Sequence, residues 1–136
     1  MNRLLLFLAV TLAASGCTTG ANYAKFDSKS KAMTIGPIND SGLQSDAEIL
    51  PNGQALYQEQ LMNTQVEVQS HSNSKQKLYY QWRWFDSDNF PLGEDAWHWI
   101  QLDPNDRKML TGIATQAKAT RAEFLLRRPS SEDHEN

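Results

Sequence analysis

The sequence predicts an all-β domain, an antiparallel β-sandwich of about six or seven strands. Residues 78–85 (LYYQWRWF) alternate between two faces and are rich in aromatic side chains, which is typical of a strand. Other short runs of β-forming residues are separated by turn signals at intervals of about 8–12 residues. No segment after residue 16 has the apolar stripe of an amphipathic helix. These features favour two packed sheets over a helical or mixed domain.

The beginning of the chain predicts export. Arg3 supplies a positive charge, and residues 4–12 (LLLFLAVTL) form an apolar run. This run is too short to span a bilayer, which takes about 20 apolar residues. Small residues then precede Cys17, the single cysteine of the chain. Residues 1–16 are therefore predicted to be a signal peptide.

Cys17 is the predicted attachment site of a lipid. Residues 14–17 (ASGC) resemble a lipobox, whose cysteine receives diacylglycerol and a further acyl chain such as palmitate. Several acyl chains would anchor the chain stably to a membrane. Thr18 stands where an Asp would favour the inner membrane, which predicts the periplasmic side of a Gram-negative outer membrane. Ala14 and Gly16 also fit an ordinary signal peptidase site, which would leave a free thiol.

The mature chain divides into three predicted parts. Residues 18–31 are polar and predict a flexible tether after the acylated cysteine. Residues 32–129 are expected to form the β-sandwich domain, and residues 130–136 (SSEDHEN) a disordered tail. A short helical turn is expected within residues 44–50. The predicted strands cover residues 32–35, 55–57, 61–68, 78–85, 100–102, 107–112 and 121–128.

The order of these features resembles that of a known family. Residues 78–86 (LYYQWRWFD) resemble its Tyr-Arg-Phe-x-Trp-Phe-Asp strand, and an Arg-rich last strand lies at residues 121–128. Between them lie the matching features Leu92-Gly93, Trp97, Ile100-Gln-Leu102 and residues 109–114. Over residues 60–128 and the signal segment, the chain is similar to the YcfL family of small periplasmic lipoproteins, a domain of unknown function. The resemblance implies an immunoglobulin-like sandwich and a periplasmic location, but no catalytic residues.

The residues with reactive side chains do not predict an enzyme. His71, His98 and His134 are widely spaced and no second cysteine exists, so neither a metal site nor a cofactor is predicted. Asp86 and Asp88 lack the Gly and the terminal Glu of a calcium loop, and are better explained by a turn. The net charge of −3 and the sparse basic residues predict no nucleic-acid partner.

The aromatic residues are the strongest indication of function. Trp82 and Trp84 lie on one face of a strand, Trp97 and Trp99 share a face of another short element, and these four are expected to fill the core unless two of them form an exposed platform. A candidate binding face comprises Tyr79, Arg83, Phe85, Trp97 and Trp99. We expect a non-enzymatic binding or accessory module of the cell envelope, attached to the membrane and contacting an envelope protein. The alternative is a module that binds glycan or peptidoglycan through exposed aromatic rings.

Overall fold

The computed structural model describes residues 20–31, 33–93 and 95–133. Two antiparallel sheets pack around one hydrophobic core, which confirms the predicted sandwich. The described residues form nine strands and one short helix. Their bounds are β1 (Asn22–Asp27), β2 (Met33–Ile35), α1 (Ser41–Asp46), β3 (Ala47–Ile49), β4 (Gln54–Gln58), β5 (Leu61–Ser70), β6 (Gln76–Phe85), β7 (His98–Leu102), β8 (Arg107–Ile113) and β9 (Arg121–Arg127).

The larger sheet has the strand order β2-β1-β9-β6-β7, and all its pairs are antiparallel. The smaller sheet is built around β5. Strand β8 pairs with one edge of β5, while β4 and β3 pair with successive parts of the other edge. The seven strands predicted from the sequence are confirmed, and β1 and β3 are added to them.

The core forms where the inward faces of the two sheets meet. Strand β5 alternates strictly between half-buried and buried residues, as its sequence predicts. Its buried Met62, Val66 and Val68 belong to the same cluster as Phe26 and Phe124 of the larger sheet. Burying each of these side chains fully contributes about 1.5–3 kcal/mol to the stability of the fold.

The predicted tether is corrected by the structure, because residues 22–27 form strand β1 in the interior of the larger sheet. The composition of this segment hid the strand, since its inward positions are Asn22, Ala24 and Phe26. Asn22 is only 5 % exposed, yet its amide is satisfied. Its Oδ1 accepts hydrogen bonds from the backbone amides of Asn39 and Asp40, at 3.0 and 2.9 Å.

Helix α1 begins three residues before the predicted helical turn and ends at Asp46. Strand β3 begins at the next residue, Ala47. Asp40 caps it by accepting a hydrogen bond from the Leu43 amide at 3.0 Å. The same carboxylate accepts two hydrogen bonds from Arg128, at 2.8 and 2.9 Å. Burial alone would raise the pKa of Asp40, but the Leu43 amide and Arg128 outweigh it and lower that pKa.

The turn predicted from the sequence at Asp86 and Asp88 is present directly after β6. Asp86 accepts hydrogen bonds from the amides of Asp88 and Phe90, at 2.9 and 3.0 Å, which closes the loop after β6. Asn89 has a φ of 68° and Asn105 has a φ of 58°, a region that Asn tolerates better than most residues. The Asp86 carboxylate therefore serves turn formation.

Candidate functional site

The outer face of the larger sheet carries the candidate site. Tyr79 of β6 points outward and lies between Trp99 of β7 and Arg127 of β9 in the strand register. Lys77 precedes Tyr79 by two residues and therefore shares its face. Trp97 lies just before β7. We name Lys77, Tyr79, Trp97, Trp99 and Arg127 the aromatic–cation face.

Both cations of this face lie over aromatic rings. The Lys77 ammonium is 4.9 Å from the centre of the Trp99 ring and 5.6 Å from that of Tyr79. The Arg127 guanidinium carbon is 4.4 Å from the Trp97 ring centre and 4.7 Å from the Tyr79 ring centre. Each such contact contributes about 0.5–1 kcal/mol when exposed, and about 2 kcal/mol when desolvated. The contacts therefore hold five side chains in a defined arrangement.

Asp95 positions the segment that carries Trp97. Its carboxylate accepts hydrogen bonds from the backbone amides of Trp82 and Ala96, at 3.2 and 3.0 Å. Its backbone carbonyl accepts a short hydrogen bond from the Gln81 side chain. These bonds tie the connection between β6 and β7 to the edge of β6. Burial, reinforced by the Asp95 charge, also raises the pKa of Tyr80.

The carboxylate of Asp133, a residue of the same chain, binds the outer edge of the Arg127 guanidinium. Asp133 accepts two hydrogen bonds from the two terminal guanidinium nitrogens of Arg127, both at 2.7 Å. Only 16 % of the Arg127 side chain and 13 % of the Asp133 side chain are exposed. The hydrogen bond to Asp133 raises the pKa of Arg127, and that of Asp133 is held well below its ordinary value. The segment 130–133, predicted to be disordered, is thus attached to the sheet.

The structure brings together three of the five predicted binding residues, namely Tyr79, Trp97 and Trp99. The other two lie farther along β6. Arg83 is exposed and donates a hydrogen bond from Nε to Gln81 Oε1 at 3.0 Å. Phe85 lines a separate open cleft of about 330 Å³. The site therefore occupies one end of the predicted face.

Three members of the site were missed by sequence reasoning: Lys77, Arg127 and Asp133. Lys77 and Arg127 could have been found, because strand alternation places them on the outward faces of β6 and β9. The signal was a basic residue on one face of a strand whose other face is apolar. Asp133 gave no such signal, since it follows the last strand.

The other two tryptophans belong to the interior. Trp82 is 4 % exposed and packs at ring-centre distances of 4.9 Å from Phe124 and 5.6 Å from Phe26. Trp84 is half-buried and stacks on Trp82 at 5.9 Å. The expectation that the tryptophans fill the core therefore agrees with the positions of Trp82 and Trp84, whereas Trp97 is half-buried and Trp99 is exposed. The indole N–H of Trp82 is buried and has no hydrogen-bond partner among the described residues.

The described ranges, residues 20–31, 33–93 and 95–133, contain neither a metal site nor a membrane-spanning helix. No group of three His, Cys, Asp or Glu side chains in those ranges could hold a metal ion. His98 is exposed and lies 3.5 Å from Asp95, while His71 pairs with Glu48 at 2.7 Å. None of the helices described is long and apolar enough to cross a membrane. Residues 1–16, Cys17 and His134 lie outside the described residues.

Comparison with known proteins identifies a family and a fold. The family model described as "Protein of unknown function (DUF1425)" matches residues 35–128. A crystal structure of a DUF1425 family member from Shewanella is 19 % identical, with a TM-score of 0.56 over 64 % of this chain and 80 % of that one. The crystal structure of Campylobacter jejuni Cj0090 is 15 % identical, with a TM-score of 0.50 over 57 % of this chain and 83 % of the other. No curated protein sequence matches the chain. At these identities the structural likeness supports the fold.

Proposed function

The chain belongs to the DUF1425 family of unknown function, and we propose that it is a non-enzymatic binding module of the bacterial cell envelope. In this proposal the chain is a lipoprotein of the YcfL type, held by an acylated Cys17 on the periplasmic side of the outer membrane. The aromatic–cation face is the surface that contacts its partner, an envelope protein.

One observation carries the proposal, namely the composition and exposure of the aromatic–cation face. Trp, Tyr and Arg dominate the residues that contribute most to protein interfaces. Trp99 is 59 % exposed although it is one of the largest apolar side chains of the sheet. Its ring and that of Trp97 are fixed by cations rather than by the core. A rigid aromatic surface of this kind loses little conformational entropy on binding.

The position of this face relative to Cys17 limits where the partner is found. Strand β1 begins at Asn22, which is paired with Leu126, the neighbour of Arg127. The aromatic–cation face therefore lies at the end of the sheet where β1 begins. Four residues lie between Cys17 and Asn22, and the five Cα–Cα steps that join these two residues reach at most about 18 Å. A partner of this face would thus meet the protein close to the membrane surface.

The lipid anchor is tested by mass spectrometry of the mature protein made in a Gram-negative host. We expect the added mass of the acyl chains on the wild type, and its loss together with membrane association in Cys17→Ala. An unmodified Cys17 in a cleaved chain would show that the ordinary signal peptidase acts instead.

The binding role is tested by crosslinking in intact envelopes followed by affinity capture of the chain. We expect one reproducible partner with the wild type and its loss with Trp99→Ala. Met109→Ala is the matched control, because Met109 is 56 % exposed on the smaller sheet, away from the aromatic–cation face. Equal capture by both variants would contradict the proposed binding surface.

A second candidate, glycan binding, is favoured by the exposed ring of Trp99 alone. Sugar rings bind to accessible aromatic faces, and Trp99 has such a ring at the edge of the sheet. Titration of tryptophan fluorescence with peptidoglycan fragments would reveal it. A response that Trp99→Ala does not abolish would place the glycan elsewhere.

A further inference from the structure

The guanidinium of Arg127 lies in a confined site with one open edge. Two aromatic rings, those of Trp97 and Tyr79, lie 4.4 and 4.7 Å from its central carbon. Both terminal nitrogens donate to one carboxylate, that of Asp133, at 2.7 Å each, and Nη1 also donates to the Arg128 carbonyl at 3.2 Å. A guanidinium held in this orientation matches the planar geometry of a carboxylate.

The carboxylate that occupies this edge belongs to a segment with few other attachments. Asp133 Oδ2 accepts hydrogen bonds from the Ser130 amide at 2.7 Å and the Ser130 hydroxyl at 3.3 Å. The Asp133 amide donates to the Ser130 carbonyl at 3.1 Å. These bonds close a turn within residues 130–133. Among the described residues, the hydrogen bonds to Arg127 link this turn to the sheet.

We propose that Arg127, Trp97 and Tyr79 form a recognition site for a carboxylate of an acidic peptide segment, and that Asp133 occupies this site until such a segment displaces it. The inference rests on the proposed function, since it names the partner chemistry and the regulation of the same face. Asp133 is the chain's own example of the ligand, an Asp carboxylate presented by a peptide turn.

Charge and ring accessibility favour a peptide over a sugar. Arg127 covers a face of both Trp97 and Tyr79, so a sugar stacked there would have to displace the guanidinium. An acidic peptide instead keeps the guanidinium in place and replaces one carboxylate by another. Lys77, which lies over the ring of Trp99, adds a second positive charge to the face.

Occupation by Asp133 lowers the affinity for an incoming peptide. When a ligand must displace an internal competitor, its apparent dissociation constant equals the intrinsic dissociation constant divided by the fraction of molecules whose site is open. An exposed ion pair would reduce the affinity by about two- to sixfold, and the Arg127–Asp133 pair, which is largely buried and joined by two hydrogen bonds, should reduce it by at least as much. Asp133→Asn keeps the size of the side chain but removes the charged competitor. This variant should therefore bind acidic peptides at least about two- to sixfold more tightly.

The test uses the full mature chain and a synthetic peptide, acetylated and C-terminally amidated, with the chain's own sequence at residues 129–133 (PSSED). Its matched control replaces Glu by Gln and Asp by Asn. Binding is followed by tryptophan fluorescence and by calorimetry at low and high salt. We expect the acidic peptide to bind, the neutral one to fail, and salt to weaken binding. Arg127→Lys keeps the charge but loses the paired donors, and should weaken binding about tenfold or more.

The outcomes separate this inference from the proposed function. Equal binding of both peptides, or unchanged affinity in Asp133→Asn and Arg127→Lys, would overturn the carboxylate site. If envelope capture still depends on Trp99 in that case, the binding module stands and its ligand has another chemistry. Binding to anionic vesicles or to glycans with the same affinity in the wild type and in Arg127→Lys would likewise overturn the inference. Near-ultraviolet circular dichroism of each variant checks that the sandwich is intact.

Discussion

Gly112 of β8 lies directly against the buried indole of Trp82, and its substitution by Ala tests how tightly the core is packed. A Cβ at this position would lie 2.7 Å from Trp82 Cδ2 and 2.8 Å from Trp82 Cε2. Carbon atoms in favourable contact are about 3.5–4.0 Å apart. Gly112→Ala therefore requires the ring or the strand to move by about 1 Å.

The surroundings of Trp82 leave little room for this movement. The ring is 4 % exposed and packs against Phe26, Phe124 and Trp84. Adding a methyl group to such a core costs about 1–3 kcal/mol. Ala is better than Gly by about 0.5–1 kcal/mol within a strand, which offsets part of the cost. We expect Gly112→Ala to lower the free energy of unfolding by about 0.5–2 kcal/mol.

The assay is urea unfolding followed by far-ultraviolet circular dichroism. Thr111→Ala is the matched control, since Thr111 is the exposed neighbour in the same strand and should change stability by less than about 0.5 kcal/mol. In the Trp82→Phe background the smaller ring leaves room for the methyl group, so the cost of Gly112→Ala should shrink. A Gly112→Ala variant as stable as the wild type, or a cost unchanged by Trp82→Phe, would refute this account of the core.

Three further predictions concern the helix cap and the outer face. Asp40→Ala removes the cap of α1 and the partner of Arg128, and should cost about 1 kcal/mol in thermal unfolding, whereas Asp40→Asn keeps a good cap. Because the pKa of Asp40 is lowered by folding, its charged form stabilises the protein above its ordinary pKa of 3.8, and this contribution is lost as the pH falls through the lower folded-state value. The difference in free energy of unfolding between wild type and Asp40→Asn, measured by urea unfolding at several pH values, should therefore shrink as the pH falls below 3.8. Trp99→Ala should leave the unfolding midpoint nearly unchanged, since Trp99 is 59 % exposed, while a marked loss of stability would place the ring in the core.

The sequence predicts best those strands in which alternation is long and unmixed. Strands β5 and β6 span ten residues each and were found with nearly correct bounds. Strand β1 was missed because its inward face combines Asn22, Ala24 and Phe26, so it has too little apolar character to stand out. Asn22 is tolerated there because Asn39 and Asp40 supply its partners. These hydrogen bonds join residues that are separated by 17 and 18 positions in the sequence. A local sequence pattern does not contain such tertiary contacts.

The candidate site was predicted in part for a related reason. Alternation in β6 places Tyr79, Arg83 and Phe85 on one face, but it does not say which part of the strand meets the other members of the site. The register decides this, since Trp99 and Arg127 both pair with Tyr79. Arg83 instead pairs with Glu123. The pairing of strands distant in sequence was therefore the missing information.

Which aromatic face of β6 is buried follows from the neighbouring strands, since both faces of β6 are aromatic. Trp82 pairs across the sheet with Phe124, so an apolar ring meets an apolar ring and the pair is best placed away from water. Tyr79 pairs with Arg127, whose charge is costly to bury without a partner. Turning the sheet over would bury that guanidinium and expose Phe124. The cations of the aromatic–cation face thus fix the orientation of the sheet, and they are also the groups that any anionic partner would contact.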